Sequence, residues 1–464
     1  VARIDPAEAS TTVTSWSKSL GVYLDRRVIS VLFLGFSSGL PLLLVYGTLS
    51  AWLTEEGLSL TVIGLFSWAS TAYAFKWLWS PLVDKLPLPP LTTLLGQRRG
   101  WMIAAQALTA GAMLGLGASD PAANIWITAA WAVLLAFASA TQDIVIDAYR
   151  VEILEEEKLG AGAGNIVLGY RLAMLASGGG ALLIADAASW FWAYAAMAAL
   201  MGVGMLTCLL NREPSRPHLE RASVEEQRAI DWMDRHAHMG RRTRQTLGWL
   251  YGAVVLPLQD FFTRKHWITI ILFIAFYKYG DALLGVMANP FYIETGFTKT
   301  EIGLVSKSYG VAMTIVGGLL GGLLVAKMGI MRSLLVCGIL QALSNLVFVA
   351  QAMVGPDVRF LMVTISVENL TGGMGTAAFV AYLSSLCNLA YTATQYALVS
   401  SFMAFARTFF ASAGGWVADN VDWVTYFLIS TAAAVPGLLL LLWMMHLFPR
   451  KNDQVMVSAL ADDD

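Results

Sequence analysis

Apolar residues recur along this chain in runs of about twenty, each closed by a short polar stretch. A helix rises about 1.5 Å per residue and crosses a bilayer in roughly 20 residues, whereas a membrane-barrel strand alternates apolar and polar over about ten. The pattern therefore predicts an all-α membrane protein with twelve spans near 28–53, 60–80, 100–118, 124–149, 164–185, 190–210, 267–290, 300–326, 333–354, 359–386, 392–417 and 423–447. Residues 211–266 divide these into six plus six. The expected organisation is an N-terminal segment 1–27, a six-helix bundle 28–210, a linker 211–266 turning amphipathic at 246–262, a second six-helix bundle 267–447 and a tail 448–464.

The halves echo each other. Gly57-Leu-Ser-Leu-Thr-Val-Ile-Gly-Leu-Phe-Ser67 matches Gly296-Phe-Thr-Lys-Thr-Glu-Ile-Gly-Leu-Val-Ser306. Arg171, followed by Gly178-Gly179 and an Ala-Asp, matches Arg407, followed by Gly414-Gly415 and an Ala-Asp. Parallel repeats in a membrane protein suggest a transporter with its site between them.

Composition agrees with the membrane reading: 57% of residues are hydrophobic and 13% charged, and the mean hydropathy is +0.62. The net charge of −2 matters less than its distribution, and no nucleic-acid partner is expected. Arg26, Arg27, Lys85, Arg98, Arg99, Lys158, Arg450 and Lys451 gather on one side of the predicted spans. The other side carries Glu55, Glu56, Asp120, Asp186, Asp419 and Asp422, with Lys299 and Arg359 as basic exceptions. By the positive-inside rule both termini are expected in the cytoplasm. No cleavable leader is evident ahead of the first span. Cys208, Cys337 and Cys387 match neither a disulfide framework nor a zinc site, and His236 and His238 lack further metal ligands. Arg241, Arg242 and Arg244 in the linker either anchor topology or attract anionic lipid heads.

Candidate chemistry lies in the charges within the spans. A central Asp, Lys or Arg costs about 2.5–3.5 kcal/mol on insertion scales, so such residues face a cavity or a partner. They are Lys76, Asp143, Asp147, Arg171, Lys278, Asp281, Lys307, Glu368 and Arg407. Asp143 and Asp147 share a helix face, and by depth Arg171 can pair with one of them, leaving the other to take a proton. Lys278 and Asp281 also share a face, while Glu368 is reachable from Lys307 and Arg407. Each pair can equally be a structural salt bridge. Lys76 is expected to snorkel to the interface. The segment Gly35-Phe-Ser-Ser-Gly39-Leu-Pro41 is expected to break the first span, as are Gly372, Gly373 and Gly375 the tenth. Gly178 and Gly179, like Gly414 and Gly415, are expected to permit close helix contact.

The loop Asp84-Lys85, then Gly96-Gln97-Arg98-Arg99-Gly100, resembles the Asp-Arg…Gly-Arg-Arg signature of the major facilitator superfamily, stretched by a proline-rich insertion. A weaker copy follows in Gly321-Gly322-Leu323…Lys327…Gly329…Arg332. That resemblance implies two six-helix halves and a conformational latch at Asp84, Arg98 and Arg99. It also places the first and fourth helices of each half on the cavity, favouring Gln142, Asp143, Lys278, Asp281 and Glu368.

A narrower resemblance covers nearly all of 28–447. GFSSGLPLLLVYGTLSAWL (35–53), YAFKWLWSPLVD (73–84), RRGW (98–101), ASATQDIVIDAYR (138–150), GYRLAMLASGG (169–179), FYKYGDA (276–282), ENLTGGMGTAAFVAYLSSLCN (368–388) and ATQYALVS (393–400) look like the anhydromuropeptide permease family. The resemblance implies a non-enzymatic, monomeric bacterial inner-membrane importer of N-acetylglucosaminyl-1,6-anhydro-N-acetylmuramyl peptides. It would be driven by protons without a bound cofactor or metal, serve wall recycling and β-lactamase induction, and contact membrane lipids. Asp143, Asp147, Asp281 and Glu368 are the proton candidates. Arg171, Lys278, Lys307 and Arg407 suit a substrate carboxylate, and Gln142 and Asn369 the sugar hydroxyls. Tyr46, Tyr277 and Trp52 offer stacking faces or ordinary packing. Some family members extend past twelve spans, whereas the acidic tail Ala461-Asp-Asp-Asp464 follows soon after the twelfth here. The alternatives are the same fold with another cargo, such as a siderophore, a peptide or an acyl-CoA, or more remotely an intramembrane enzyme or receptor.

Overall fold

The computed structural model describes residues 21–58, 62, 66, 69, 71–214, 227, 228, 230–236, 239–298, 301–389 and 391–447. Every regular element among them is helical. In chain order the spans are α1 (Arg26–Glu55), α2 (the pieces Thr71–Phe75, Lys76–Leu78 and Ser80–Lys85), α3 (Gln97–Gly117), α4 (Ile125–Ile153), α5 (Glu156–Ala187) and α6 (Trp190–Leu210). The second half continues with α7 (Trp267–Thr295), α8 (Ile302–Met328), α9 (Ile330–Val354), α10 (Val358–Ser385), α11 (Thr392–Asn420) and α12 (Trp423–Leu447). Ten of these, all but α2 and α10, are long and apolar enough to cross a membrane. Part of the expected second span falls outside the described residues. At 28 residues α10 is long enough but rich in Gly, Thr and Ser around Glu368 and Asn369. The linker is helical from Arg241 to Phe262, with a π-helical turn at Tyr251–Val255.

Helix ends in a membrane protein must satisfy their own backbone groups, and short polar side chains do so here. Asp25, Asn124, Asp357 and Asp422 accept from backbone N–H groups in the first turns of α1, α4, α10 and α12. The two glycines that open the internal repeat both adopt the left-handed conformation, Gly57 at φ +74° and Gly296 at φ +103°. Each follows the first helix of its half, where a side chain would be strained.

Glycine seams set the packing. A Cβ at Gly35 would lie 2.5 Å from the Ile166 carbonyl oxygen, one at Gly39 2.6 Å from that of Tyr170, and one at Gly169 would overlap the Leu32 carbonyl. These residues bring α1 and α5 into backbone contact, so the expected break at Gly35–Pro41 does not occur. The helix runs through Pro41 to Val45 and is interrupted at Tyr46 (φ −108°, ψ −94°). Pro41 removes only one N–H from a segment braced against α5. The second expected break is also absent, because α10 is continuous through Gly372, Gly373 and Gly375. There a Cβ at Gly373 would strike the Thr314 carbonyl of α8, and one at Gly375 would lie 2.5 Å from Gln341 Oε1. Gly178 meets Leu43 Cδ1 at 2.9 Å, but Gly179 meets nothing within 4 Å. The π-helical turn Ala176–Gly180 carries an extra residue and leaves Gly179 off the contact expected of it.

The halves meet most closely where the basic residues cluster, here termed the basic face. Gly160 and Gly164 of α5 lie against Gly318 and Gly322 of α8, with a Cβ at Gly164 falling 2.8 Å from the Gly318 oxygen and one at Gly322 2.5 Å from that of Gly160. Four-residue glycine spacing on both helices allows this approach. The Tyr23 hydroxyl adds a 2.6 Å bond to the Leu319 carbonyl. Gly169→Leu is expected to prevent stable assembly, exceeding the usual overpacking cost of about 1–3 kcal/mol because backbone cannot yield. Gly179→Ala is expected to hold or gain up to about 1 kcal/mol. Melting temperatures of the purified variants in detergent check both.

Candidate functional site

The first half gathers its intramembrane charges around α4. Asp143 accepts a 2.5 Å hydrogen bond from Ser38 Oγ on α1. One turn nearer the basic face, Asp147 has Lys76 Nζ of α2 at 3.7 Å and the Arg150 guanidinium of its own helix at 3.5 Å. The expected Asp143–Arg171 pair does not form among the described residues, and Lys76 does not snorkel. Lys76 is 9% exposed and lies in the short 3₁₀ piece of α2, where the tighter winding turns it toward α4. Gln142 is buried, and neither end of its amide has a hydrogen-bond partner among the described residues. It does not reach an open cavity wall in this arrangement.

Arg171 is half-buried, with Nη1 3.8 Å from Met174 Sδ, and its charge interacts with those of Arg407 and Glu368. Thus the arginines of the internal repeat, one from each half, share a region with a carboxylate. Glu368 is bonded to the Asn369 amide, which also donates to the Ile365 carbonyl at 3.1 Å and accepts from Thr314 Oγ1 at 2.7 Å. The Lys307 side chain lies outside the described residues. Lys278 and Asp281 meet at 2.9 Å, and Lys278 Nζ also reaches Gln341 Oε1 at 3.0 Å and Thr376 Oγ1 at 3.5 Å. Gln341 and Thr376 escaped the sequence reading, although a glutamine near the middle of an apolar span was a usable signal. Of the aromatic candidates, Tyr46 is 37% exposed, at the interruption of α1. Trp52 instead packs on Trp190 with centroids 5.6 Å apart, and buried Tyr277 donates to the Leu334 carbonyl.

At the basic face a second cluster joins the halves. Arg98 contacts Asp84 at 2.7 Å and Glu152 at 2.6 Å, all three side chains being buried. Asp84 also accepts from the backbone N–H groups of Ala393 at 3.3 Å and Thr394 at 2.8 Å and from Thr394 Oγ1 at 2.6 Å. A carboxylate of one half thereby caps the N-terminus of α11 in the other, where the helix dipole favours negative charge. Arg99, grouped with Arg98 in the expected latch, binds instead the Cys208 and Leu209 carbonyls at the end of α6 at 3.0 and 3.1 Å. Consecutive helical residues point about 100° apart, so the two arginines serve different partners.

The segment before and within α11 is held from its other side by the linker. Gln395 Nε2 donates to Asp260 Oδ2 at 2.6 Å, while Gln395 Oε1 accepts from Arg264 at 3.1 Å. Arg150 lies over the Tyr396 ring at 5.3 Å, and Lys85 over that of Tyr391 at 5.2 Å. Glu152, Asp260, Arg264, Thr394 and Gln395 were not singled out as site residues from sequence. Their only sequence signal was inclusion of ATQY in a family-like string, and apart from the Asp260–Arg264 pair, four residues apart in the chain, the contacts that give them their roles span more than 50 residues. At the rim, a hydrogen bond from Lys158 holds the exposed Glu155 carboxyl below its usual range.

The described residues hold no cluster of metal-ligating side chains, and His238 lies outside them. A family model for the Major Facilitator Superfamily matches residues 28–279 and 270–455. The anhydromuropeptide permease of Escherichia coli (strain K12) is 41% identical over 428 residues, covering 92% of this chain and 81% of that protein. The putative transporter AmpG 4 of Rickettsia felis is 33% identical over 425 residues, covering 91% and 97%. Among solved structures, the proton:xylose symporter XylE bound to 6-bromo-6-deoxy-D-glucose aligns over 93% of this chain and 96% of its own, with a TM-score of 0.59 and 14% identity. That likeness speaks to the fold alone. Two helical halves with charges buried between them, and near-full-length identity to these relatives, establish that the chain belongs to the major facilitator superfamily and, within it, to the anhydromuropeptide permease family.

Proposed function

We propose that this protein is a secondary transporter importing anhydromuropeptides from periplasm to cytoplasm by proton symport and alternating access. The observation carrying the cargo is the 41% identity to a named anhydromuropeptide permease along 92% of the chain. Imported product would feed peptidoglycan recycling and the induction of β-lactamase. The chain works as a multi-pass monomer in the bacterial inner membrane, with both termini and the basic face in the cytoplasm, as the placement of Lys and Arg supports. The proton gradient supplies the driving force, with no bound cofactor.

The sealed basic face supports an arrangement loaded from the periplasm. Arg171 and Arg407, one on each half, receive substrate carboxylates, and binding an anion between them relieves the repulsion of two like charges. Lys278 is a further candidate for the substrate carboxylate, as Lys307 is by its sequence position, while Asn369 offers its amide to sugar hydroxyls and Tyr46 a ring face. Proton carriers are drawn from Asp143, Asp147, Asp281 and Glu368. Asp143 accepts from a hydroxyl, whereas Asp147 faces two cations. Asp84 and Arg98 latch the cytoplasmic side against α11 and release it when the halves rock.

In liposomes, uptake of labelled anhydro-disaccharide tripeptide is expected only under an inward proton gradient. Gradient-independent uptake removes symport, and no uptake by folded protein moves the cargo to a peptide, siderophore or acyl-CoA. Arg407→Gln is expected to raise KM at least tenfold with kcat less affected, measured as initial uptake rates. Asp84→Asn leaves a buried guanidinium with less compensation and takes the charge from the cap of α11. It is expected to cost about 3 kcal/mol, the lower end for a broken buried pair, because Glu152 remains; thermal unfolding in detergent measures it.

A further inference from the structure

Arg150 is a fully buried arginine whose role neither the cargo site nor the latch explains. Its guanidinium nitrogens find no hydrogen-bond acceptor at normal distance among the described residues. What it has is the Asp147 carboxylate at 3.5 Å, the face of Tyr396 at 5.3 Å and a longer polar interaction with the Tyr396 hydroxyl. Tyr396 belongs to the opposite half and directly follows Thr394 and Gln395, the residues held by Asp84 and Asp260. Arg150 therefore touches the Asp147 carboxylate on one side and the closure on the other.

Charges around this point balance narrowly. On α4 stand Asp143, Asp147 and Arg150, and α2 contributes Lys76, which bonds Asp147 and also acts on Asp143. Ser38 of α1 donates to Asp143; Tyr73 of α2 interacts electrostatically with Asp143, Tyr170 of α5 with both carboxylates, and Tyr396 and Cys387 with Asp147. Lys76 pairs with Asp147 and its charge also acts on Asp143, so it can fall back there. Arg150 cannot, because seven residues of helix separate them by about 10 Å.

We propose that Arg150 is the positioning residue that couples charge at Asp147 to opening of the cytoplasmic side. While Asp147 is ionised it compensates the buried guanidinium and the seal is stable. A proton taken from the periplasmic cavity onto an Asp147 carboxylate oxygen leaves Arg150 buried without a counter-charge, a state that breaking an ion pair makes costly. The guanidinium regains compensation by reaching water, which requires the α11 end carrying Tyr396 to withdraw. Withdrawal exposes Asp147 to the cytoplasm, where it releases the proton and the seal re-forms. This deepens the symport reading and rests on it for the source of the proton.

Spin labels on cysteines introduced at exposed Glu157 and Arg332, one on each half at the basic face, read the closure as a distance. The three buried native cysteines are replaced by alanine. Asp147→Asn is expected to raise the ratio of long to short distances at least tenfold, Asp147→Glu to leave it near wild type, and Arg150→Met to remain closed. Adding Arg150→Met to Asp147→Asn is expected to restore closure. An unshifted Asp147→Asn, an open Arg150→Met, or a double variant that stays open overturns the proposal. A second arm spares Asp147: acidification is expected to open the wild type and not Arg150→Met, and equal responses also overturn it. The distances are measured without substrate or gradient, so a failed uptake assay leaves this result standing on its own.

Discussion

Where the two halves meet at the basic face, a buried charge is held beside an opposite charge or a helix terminus, and that requirement governs how they fit. Asp84 is the clearest instance, facing Arg98 within its own half and the first amides of α11 in the other. Removing water makes each such contact stronger and each loss more costly. The closed basic face is therefore a network whose parts depend on one another. Glu152 holds Arg98, Arg98 faces Asp84, and Asp84 caps the helix that carries Gln395 and Tyr396.

Close backbone approach makes this network geometrically available. Gly160 and Gly164 against Gly318 and Gly322 bring α5 and α8 into contact at the same face, so the longer polar side chains need span only short distances. Within each half, glycines draw α1 to α5 and α8 to α10 in the same way. Little of this packing derives from apolar contrast, since lipid tails are as apolar as leucine.

The internal repeat is kept where it serves structure. At the far face Trp190 donates to Glu55 and Trp423 to Glu294, while Tyr194 donates to the Leu44 carbonyl and Tyr426 to that of Leu283. At the basic face the halves diverge. Asp84 and Arg98 have no like pair in the second half among the described residues; Asp260 and Arg264 from the linker grip α11 instead. The polar contacts at this face have diverged on two scaffolds that still fold alike.

Periodicity alone carried the helical class, the division into halves and most of the spans, because a bilayer imposes one length scale and one sign asymmetry on any chain that crosses it. Spacing also placed Lys278 beside Asp281, and the resemblance of the loop to the superfamily signature brought Asp84 together with Arg98. The sequence could not choose among partners at equal depth on different helices. Asp147 took Lys76 and Arg150 rather than Arg171, and Gly35 and Gly373 became contacts rather than breaks, because helix rotation decides what each side chain faces. Glu152, Thr394 and Gln395 acquired roles only when distant helix ends met. Spacing along the chain determines which residues share a face of one helix; which faces of different helices meet is settled by packing over the whole bundle, and only the tertiary structure decides that.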